Sequence, residues 1–296
     1  MPWSLHALVQ AVILGVLTGG VYALMASGQT LIFGIMKVVN LAQAAFVVLA
    51  AYLTYSLFTL TGIDPFLSIL ITTPILFAVG VAIQWTLLRV LRPEDAAELS
   101  LLVTFAAALG LEGLLELVYN TTFRSIQPGY ENFSWTVLGY QVNMVRFFAF
   151  LLSLTMLGLL YLILHRTKFG RAVRATVQNP MSAQLLGVNP QRVAALGFGL
   201  GAATAAAAGA IFGLISPFNP GSHYDLISRL LTIVVLGGLG SIGGSIIAAL
   251  VMGIASAVVA SLASPIWSDF AFFVVLLVVL LLRPRGLLGT RLRGAI

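Results

Sequence analysis

The stretch Thr167-Lys-Phe-Gly-Arg-Ala-Val-Arg-Ala-Thr-Val-Gln-Asn-Pro-Met-Ser-Ala-Gln-Leu-Leu-Gly-Val-Asn-Pro190 lies between two apolar segments, Val145–Leu164 and Gln191–Ser216. Each flank has about the 20 residues that cross a hydrocarbon core at 1.5 Å rise per residue. The loop and its edges hold Arg166, Lys168, Arg171, Arg174 and Arg192. Basic residues collect on the cytoplasmic side of membrane proteins, so the stretch reads as an inner loop between two transmembrane helices. Within it, Asn179 to Leu186 reads as a short helix. Asn179 is the N-cap, Pro180 suits the first helical position, and Gly187 ends it. Ala183 and Gly187 lie four apart on one face, and their small side chains let another backbone or groove approach. A connector that merely turns the chain is the other reading.

The rest of the chain agrees with a membrane setting. Its 296 residues are 60% hydrophobic and 8% charged, with a mean hydropathy of +1.06, against about 25% charged in a soluble domain. Further candidate spans are Ala44–Leu60, Phe66–Leu91, Leu99–Asn120, Ser241–Ala263 and Pro265–Leu282. Two segments are less regular. Leu8–Met36 is too long for one simple span and is interrupted by Gly19, Gly20, Gly28 and Gly34, whereas Leu226–Gly240 is too short and ends in Gly237-Gly238-Leu239-Gly240. The expected fold is all-α: a polytopic transmembrane helical bundle of about 8–10 helices, with glycine-broken segments and a short cytoplasmic helix. It forms one domain over residues 1–296, with an inner loop at 165–190 and an inner tail at 283–296.

The net charge of +6 is a topology signal, not a mark of nucleic-acid binding. The tail arginines Arg283, Arg285, Arg291 and Arg293, with Arg89 and Arg92, join the loop on the inner side; together these are eleven of the 15 Lys and Arg. The opposite loops hold Asp64, Glu131, Asp225 and Asp269, with Arg124 as their lone basic residue. The C-terminus is therefore expected inside and, with about nine crossings, the N-terminus outside. No basic leader precedes the first apolar run, which is expected to be retained.

Few residues suit chemistry. The chain has no cysteine, and His6, His165 and His223 are too scattered for a metal site. Ser245, Ser256 and Ser261 lack a histidine base and read as helix-packing hydroxyls. Glu112 and Glu116 share a helix face near the outer side, where Arg146 and Arg229 begin other segments. An intramembrane carboxylate is a functional candidate by default, but a structural ion pair is the favoured reading. The outer loop Thr121–Met144 carries Tyr130, Phe133 and Trp135, suited to an interfacial belt or to part of a docking surface for an external partner.

Four ordered motifs carry a resemblance. The inner loop places Gly170, Arg171, Ala172, Arg174, Ala175, Asn179, Ala183, Gly187 and Asn189 in the pattern G-R-A-x-R-A-x-x-x-N-x-x-A-x-x-x-G-x-N. Gly20-Val-Tyr-Ala-Leu-Met-Ala-Ser-Gly28-Gln-Thr-Leu-Ile-Phe-Gly34, Gly237-Gly-Leu-Gly-Ser-Ile-Gly-Gly244 and Arg283-Pro-Arg-Gly-Leu-Leu-Gly289 supply the others. Together they resemble the branched-chain amino-acid ABC permeases over nearly the whole chain. The chain departs where that family often has Asn-x-Ala-His-Gly, carrying Asn40-Leu-Ala-Gln43-Ala44, and where it often has proline, at Gly243. Gln43 keeps hydrogen bonding but cannot take a proton.

The resemblance implies a permease subunit of an ATP-driven importer in a bacterial inner membrane. It would form the path for branched-chain or related amino acids. The implied partners are a second permease subunit, two cytoplasmic ATPases and an external binding protein. No Gly-x4-Gly-Lys-Ser/Thr motif occurs, so ATP hydrolysis is expected on another chain, and no cofactor is expected in this one. Arg171, Arg174, Asn179, Ala183, Gly187 and Asn189 are the expected ATPase-coupling residues, with Ala183 and Gly187 as contact positions. Irregular backbone at membrane depth is tolerated only where it is buried or lines a wet cavity. Thr30, Asn40, Gln43, Gly237, Gly238, Gly240 and Ser241 are therefore path candidates, close helix packing by the glycines being the alternative. Urea, amides or aromatic acids on the same scaffold, and a self-contained secondary transporter, are the competing readings.

Overall fold

The computed structural model describes residues 5–91, 96–131, 133–264, 266–283 and 286–288. Arg92, Pro265, Arg285, Arg291 and Arg293, which entered the span and charge readings above, lie outside the described residues, as does the leader at residues 1–4. The described chain is almost wholly helical: α1 (Leu5–Met36), α2 (Ala42–Thr61), α3 (Pro65–Ile83, extended by a π-helical turn, Gln84–Leu88), α4 (Ala96–Tyr119), α5 (Met144–Arg166), α6 (Lys168–Gln178), α7 (Pro180–Leu185), α8 (Pro190–Ile215), α9 (His223–Gly237), α10 (Ile242–Leu262) and α11 (Ile266–Leu282). Seven of these helices are long and apolar enough to cross a membrane. With α9, of 15 residues, and α11, of 17, the bundle has nine long elements, inside the expected range.

The first segment departs from expectation. It is one continuous helix of 32 residues, about 48 Å at 1.5 Å per residue, and its glycines do not break it. In a membrane the backbone bonds of a helix cannot be exchanged for bonds to water, and each of these glycines admits a neighbour. A Cβ at Gly15 would lie 2.6 Å from the Ile254 Cα, and one at Gly19 would lie 3.0 Å from the Ala249 carbonyl oxygen. Thus α1 and α10 meet backbone to backbone, the role small residues play between membrane helices. The short ninth segment does end in a glycine turn, with Gly238 at φ 97° and Gly240 at φ 83°.

Helix α8 lies at the centre, against α1, α2 and α3. Its run from Gly197 to Ala210 is glycine and alanine with few exceptions, and is almost entirely buried. Gly80 of α3 abuts Ala202 and Gly199, and Gly209 abuts Val47 and Ala50 of α2. Caps set the ends locally: Asp64 accepts from the Phe66 N–H with Pro65 at the first position of α3, and Asn143 accepts from the Arg146 N–H at the start of α5.

One end of the bundle carries a β-hairpin that the outer-loop reading did not anticipate. β1 (Ser134–Val137) pairs antiparallel with β2 (Tyr140–Asn143), joined by Leu138 and Gly139 at φ 51° and 86°, the twist of a two-residue hairpin turn. Trp135 stacks edge-on to Phe147 and Phe148. Tyr130 donates to Asp64 at 2.7 Å. The opposite end carries α6 and α7 with their basic residues.

Candidate functional site

The α6–α7 elbow is built by local rules. Thr167 caps α6 by accepting from the Gly170 N–H at 3.2 Å. A Cβ at Gly170 would collide with the Leu164 carbonyl, so only glycine lets α6 fold back across the end of α5. Arg174 donates to that same carbonyl, placing a cation on one of the unpaired carbonyls at a helix C-terminus. Asn179 caps α7 by accepting from the Ser182 N–H at 3.0 Å, and Asn189 caps α8 by accepting from the Gln191 and Arg192 N–H groups. Gly187, at φ 82° with open space around its missing side chain, ends α7, and the Val188 N–H returns to the Ala183 carbonyl. Arg171 is exposed. These five predicted coupling residues thus hold the elbow or frame it.

Ala183 does not face outward. It is 1% exposed, packed toward its own chain, whereas Met181, Leu185 and Leu186 are 70%, 84% and 81% exposed. The reading of Ala183 as a contact position is therefore corrected. On so short a helix, the direction of the inward face depends on how α6 folds back, which spacing within α7 does not reveal.

The path candidates divide. Asn40 and Gln43 are buried where α2 begins beside α1 and α8. Asn40 Nδ2 donates to Gln43 Oε1 at 3.4 Å, and Gln43 Nε2 donates to the Gly201 carbonyl at 3.0 Å. A Cβ at Gly28 would fall 2.5 Å from Gln43 Nε2 and 2.7 Å from that carbonyl, so Gly28 makes room for a polar lock between three helices. Ser241 caps α10 by accepting from the Gly244 N–H at 3.2 Å. Gly237 meets Gly244 and Ser245 at backbone distance, so α9 and α10 cross at glycine, and Gly238 closes the turn.

Thr30 and Gly240 line a cleft of about 190 Å³ together with Leu164, Gly170, Arg174 and Ile242. This cleft brings part of the path set and part of the coupling set into one place. Sequence reasoning also missed a clamp on the same turn. The Leu287 and Leu288 N–H groups donate to the Leu236 and Gly237 carbonyls at 2.7 and 3.1 Å, satisfying carbonyls that a helix end leaves unpaired. Two of the four motifs, separate in sequence, therefore dock on each other.

At the hairpin end, Glu112 has a tyrosine and a histidine as partners, and neither Arg146 nor Arg229. Glu112 accepts from the Tyr224 hydroxyl at 2.9 Å and lies 3.9 Å from His223 Nε2. Arg229 instead pairs with Asp269 and donates to the Tyr22 hydroxyl. The Tyr224 and His223 partners come from the start of α9, whose fold onto α4 the segment pattern did not contain. Burial, then the hydrogen bond to Asp64, pushes the Tyr130 hydroxyl well above the usual tyrosine range.

A bundle of long apolar helices, with a structured elbow at one end and a glycine turn against it, defines a multi-pass α-helical membrane protein. Comparison with known proteins places it more closely. The sequence pattern of the family described as branched-chain amino acid transport system, permease component, matches residues 11–280, and the chain belongs to that family. It is 29% identical to the high-affinity branched-chain amino acid transport system permease protein BraD of Pseudomonas aeruginosa, over 98% of each chain. It is 31% identical to the permease protein LivH of Escherichia coli K12, over 93% of each. A probable branched-chain amino acid transport permease protein LivH of Methanocaldococcus jannaschii is 27% identical, over 90% of this chain and 88% of that one. These relatives are transport permeases, not enzymes.

Proposed function

We propose that this chain is the permease subunit of an ATP-driven importer in a bacterial inner membrane. It forms the translocation path for branched-chain or related amino acids delivered by an external binding protein. It works beside a second permease subunit, a paralogue, and two cytoplasmic ATPases, with the α6–α7 end and the C-terminus in the cytoplasm. The observation that carries this reading is the outward face of the elbow. Met181, Leu185 and Leu186 stand exposed at the end where Arg166, Lys168, Arg171 and Arg192 gather. Positive charge marks that end as cytoplasmic, and a cluster of apolar side chains facing water marks a partner surface.

The geometry gives the coupling a route. A push on α7 passes through the capped Asn179 joint to α6. Helix α6 bears on the end of α5 through Gly170 and Arg174 and packs against α1 and α8, while Thr30 and Gly240 line the cleft beside it. A displacement of the elbow would therefore reach α5, α1 and α8 first. The flanking arginines steer docking, an effect that salt weakens.

Co-purification tests the reading. The tagged chain should bring down a cytoplasmic ATPase pair, and replacing Leu185 and Leu186 with aspartate should release that pair while the permease still inserts. Retention of the ATPases by the double variant, or amino-acid transport by the chain alone, would contradict it. Calorimetry on the binding protein that stimulates the complex separates branched-chain amino acids from urea, amides or aromatic acids.

A further inference from the structure

A second cleft opens at the hairpin end between α1, α10 and the start of α5. It measures about 490 Å³, within the usual range of small-molecule sites, about 300–1,000 Å³. Its rim is fixed: His6 Nε2 lies 3.1 Å from the Gly139 carbonyl, and Gln10 exchanges two hydrogen bonds with the Gln141 backbone at 2.7 and 3.0 Å. Below the rim the walls carry short side chains, among them Ala11, Ala257, Ser256 and Ser261, and Arg146 reaches in from α5.

Arg146 stands apart from the other arginines on the inward faces of this bundle. Arg229 has Asp269 and Tyr22, Arg124 has the Tyr55 hydroxyl and the Tyr119 carbonyl, and Arg174 has the Leu164 carbonyl. Among the described residues the ion pairs are His223–Glu112 and Arg229–Asp269, and no hydrogen bond involves the Arg146 guanidinium. It also sits in the first turn of α5, the positive end of the helix dipole, where a cation is disfavoured and an anion favoured. A Cβ on Gly20 would strike the Phe150 ring, so α1 and α5 run side by side there, and Arg146 lies only about one helical turn from that level. An unpaired cation inside a membrane helix is a functional candidate by default.

We propose that this cleft binds the transported amino acid, with the Arg146 guanidinium holding its carboxylate. The inference rests on the functional reading above and adds the site. The hydroxyls of Ser256 and Ser261 have no partner among the described residues and can accept from the solute's ammonium group. Leu14, Ala11 and Ala257 leave space for a short apolar side chain. A lipid phosphate would find the same cation, but these walls are short and hydroxylated, not the long apolar strip an acyl chain follows.

The absence of cysteine makes the test direct. Ala260→Cys, on the cleft wall but outside the proposed contacts, is labelled in the full reconstituted complex with a hydrophilic methanethiosulfonate. Leucine with the binding protein should slow labelling, and leucinamide, which lacks the carboxylate, should not. Arg146→Gln should raise the leucine concentration for half-protection about tenfold or more, as loss of a charge-assisted contact does. Arg146→Lys should retain part of the protection, and gel filtration checks that both variants assemble. Equal protection by leucinamide, or unchanged protection in Arg146→Gln, overturns the site. Protection that follows anionic lipid content and ignores leucine assigns the cleft to a lipid headgroup and overturns it as well. Protection that appears on assembly with the second permease and ignores solute does the same. A complex that transports leucine without any protection refutes this site alone, whereas one that transports no amino acid refutes the functional reading and the site with it.

Discussion

Alanine at Gly253 and alanine at Gly113 should move stability in opposite directions, although both glycines are helical. At Gly253 the added Cβ would lie 2.5 Å from the Gly15 carbonyl oxygen, 2.7 Å from the Gly19 Cα and 2.8 Å from the Gly19 nitrogen. All three are backbone atoms, so no side chain can swing away. Ordinary contact begins at 3.4 Å, and α1 and α10 must therefore part by about 0.9 Å. A gap of about that size forfeits a quarter to a half of the dispersion attraction across the interface. Overpacking of this kind costs roughly 1–3 kcal/mol. At Gly113 of α4 nothing lies within 4 Å, so alanine there brings only its helix propensity, up to about 1 kcal/mol. The assay is thermal unfolding of the purified chain in detergent, followed by the loss of the monodisperse gel-filtration peak. Gly253→Ala should lower the midpoint by roughly 2–12 °C on the scale of domains this large, and Gly113→Ala should leave it unchanged or raise it. Equal midpoints for the two variants would show that α1 and α10 do not meet through glycine, and the packing account of α1 would fall.

Three further outcomes follow from other parts of the molecule. Met181→Asp should cut solute-stimulated ATP hydrolysis by the reconstituted complex severalfold without lowering the unfolding midpoint, because the side chain is 70% exposed; unchanged stimulation would exclude it from the docking face. Gly286→Ala should destabilise the chain by about 1–3 kcal/mol. It forces a side chain into φ 76°, against the Val235 and Leu236 carbonyls at 2.7 and 2.8 Å, and so costs left-handed strain and backbone hydrogen bonds. Thermal unfolding reads this, and an unaltered midpoint would count against the tail clamp. Because the folded state holds the Tyr130 proton more tightly than the unfolded chain does, stability should be fully present below about pH 10 and fall as pH rises above it. Tyr130→Phe should flatten that alkaline limb in a pH series of unfolding midpoints, and an identical limb in the variant would remove Tyr130 from the account.

Much of this architecture was legible because its causes are local. Apolar length specifies a membrane helix wherever it falls in the chain, and Val145–Leu164 or Ser241–Ala263 needed no partner to be recognised. The caps were equally readable, since Asn179, Pro180 and Gly187 act on backbone groups within four residues of themselves. What stayed hidden depends on contacts between distant segments. Whether Gly19 breaks a helix or seats one is decided by Ala249 and Leu250 of α10, so the interruption inferred for α1 was wrong in kind. Ala183 could not be placed inward without the fold of α6 across α5. Glu112 found Tyr224 and His223 because α9 begins beside α4. The tail reached α9 through Leu287 and Leu288, about 50 residues from their acceptors, by backbone bonds that carry no side-chain signature. The hairpin was obscured by the brevity of its strands, four residues each.

Uptake of radiolabelled leucine by proteoliposomes tests the central claim most directly. The vesicles contain this chain with the proposed second permease and ATPase pair, the proposed binding protein outside and ATP inside. The account predicts accumulation above the outside concentration that requires both ATP and the binding protein, and that disappears when Leu185 and Leu186 are replaced by aspartate. Accumulation by this chain alone without ATP, driven by an ion gradient, would contradict it.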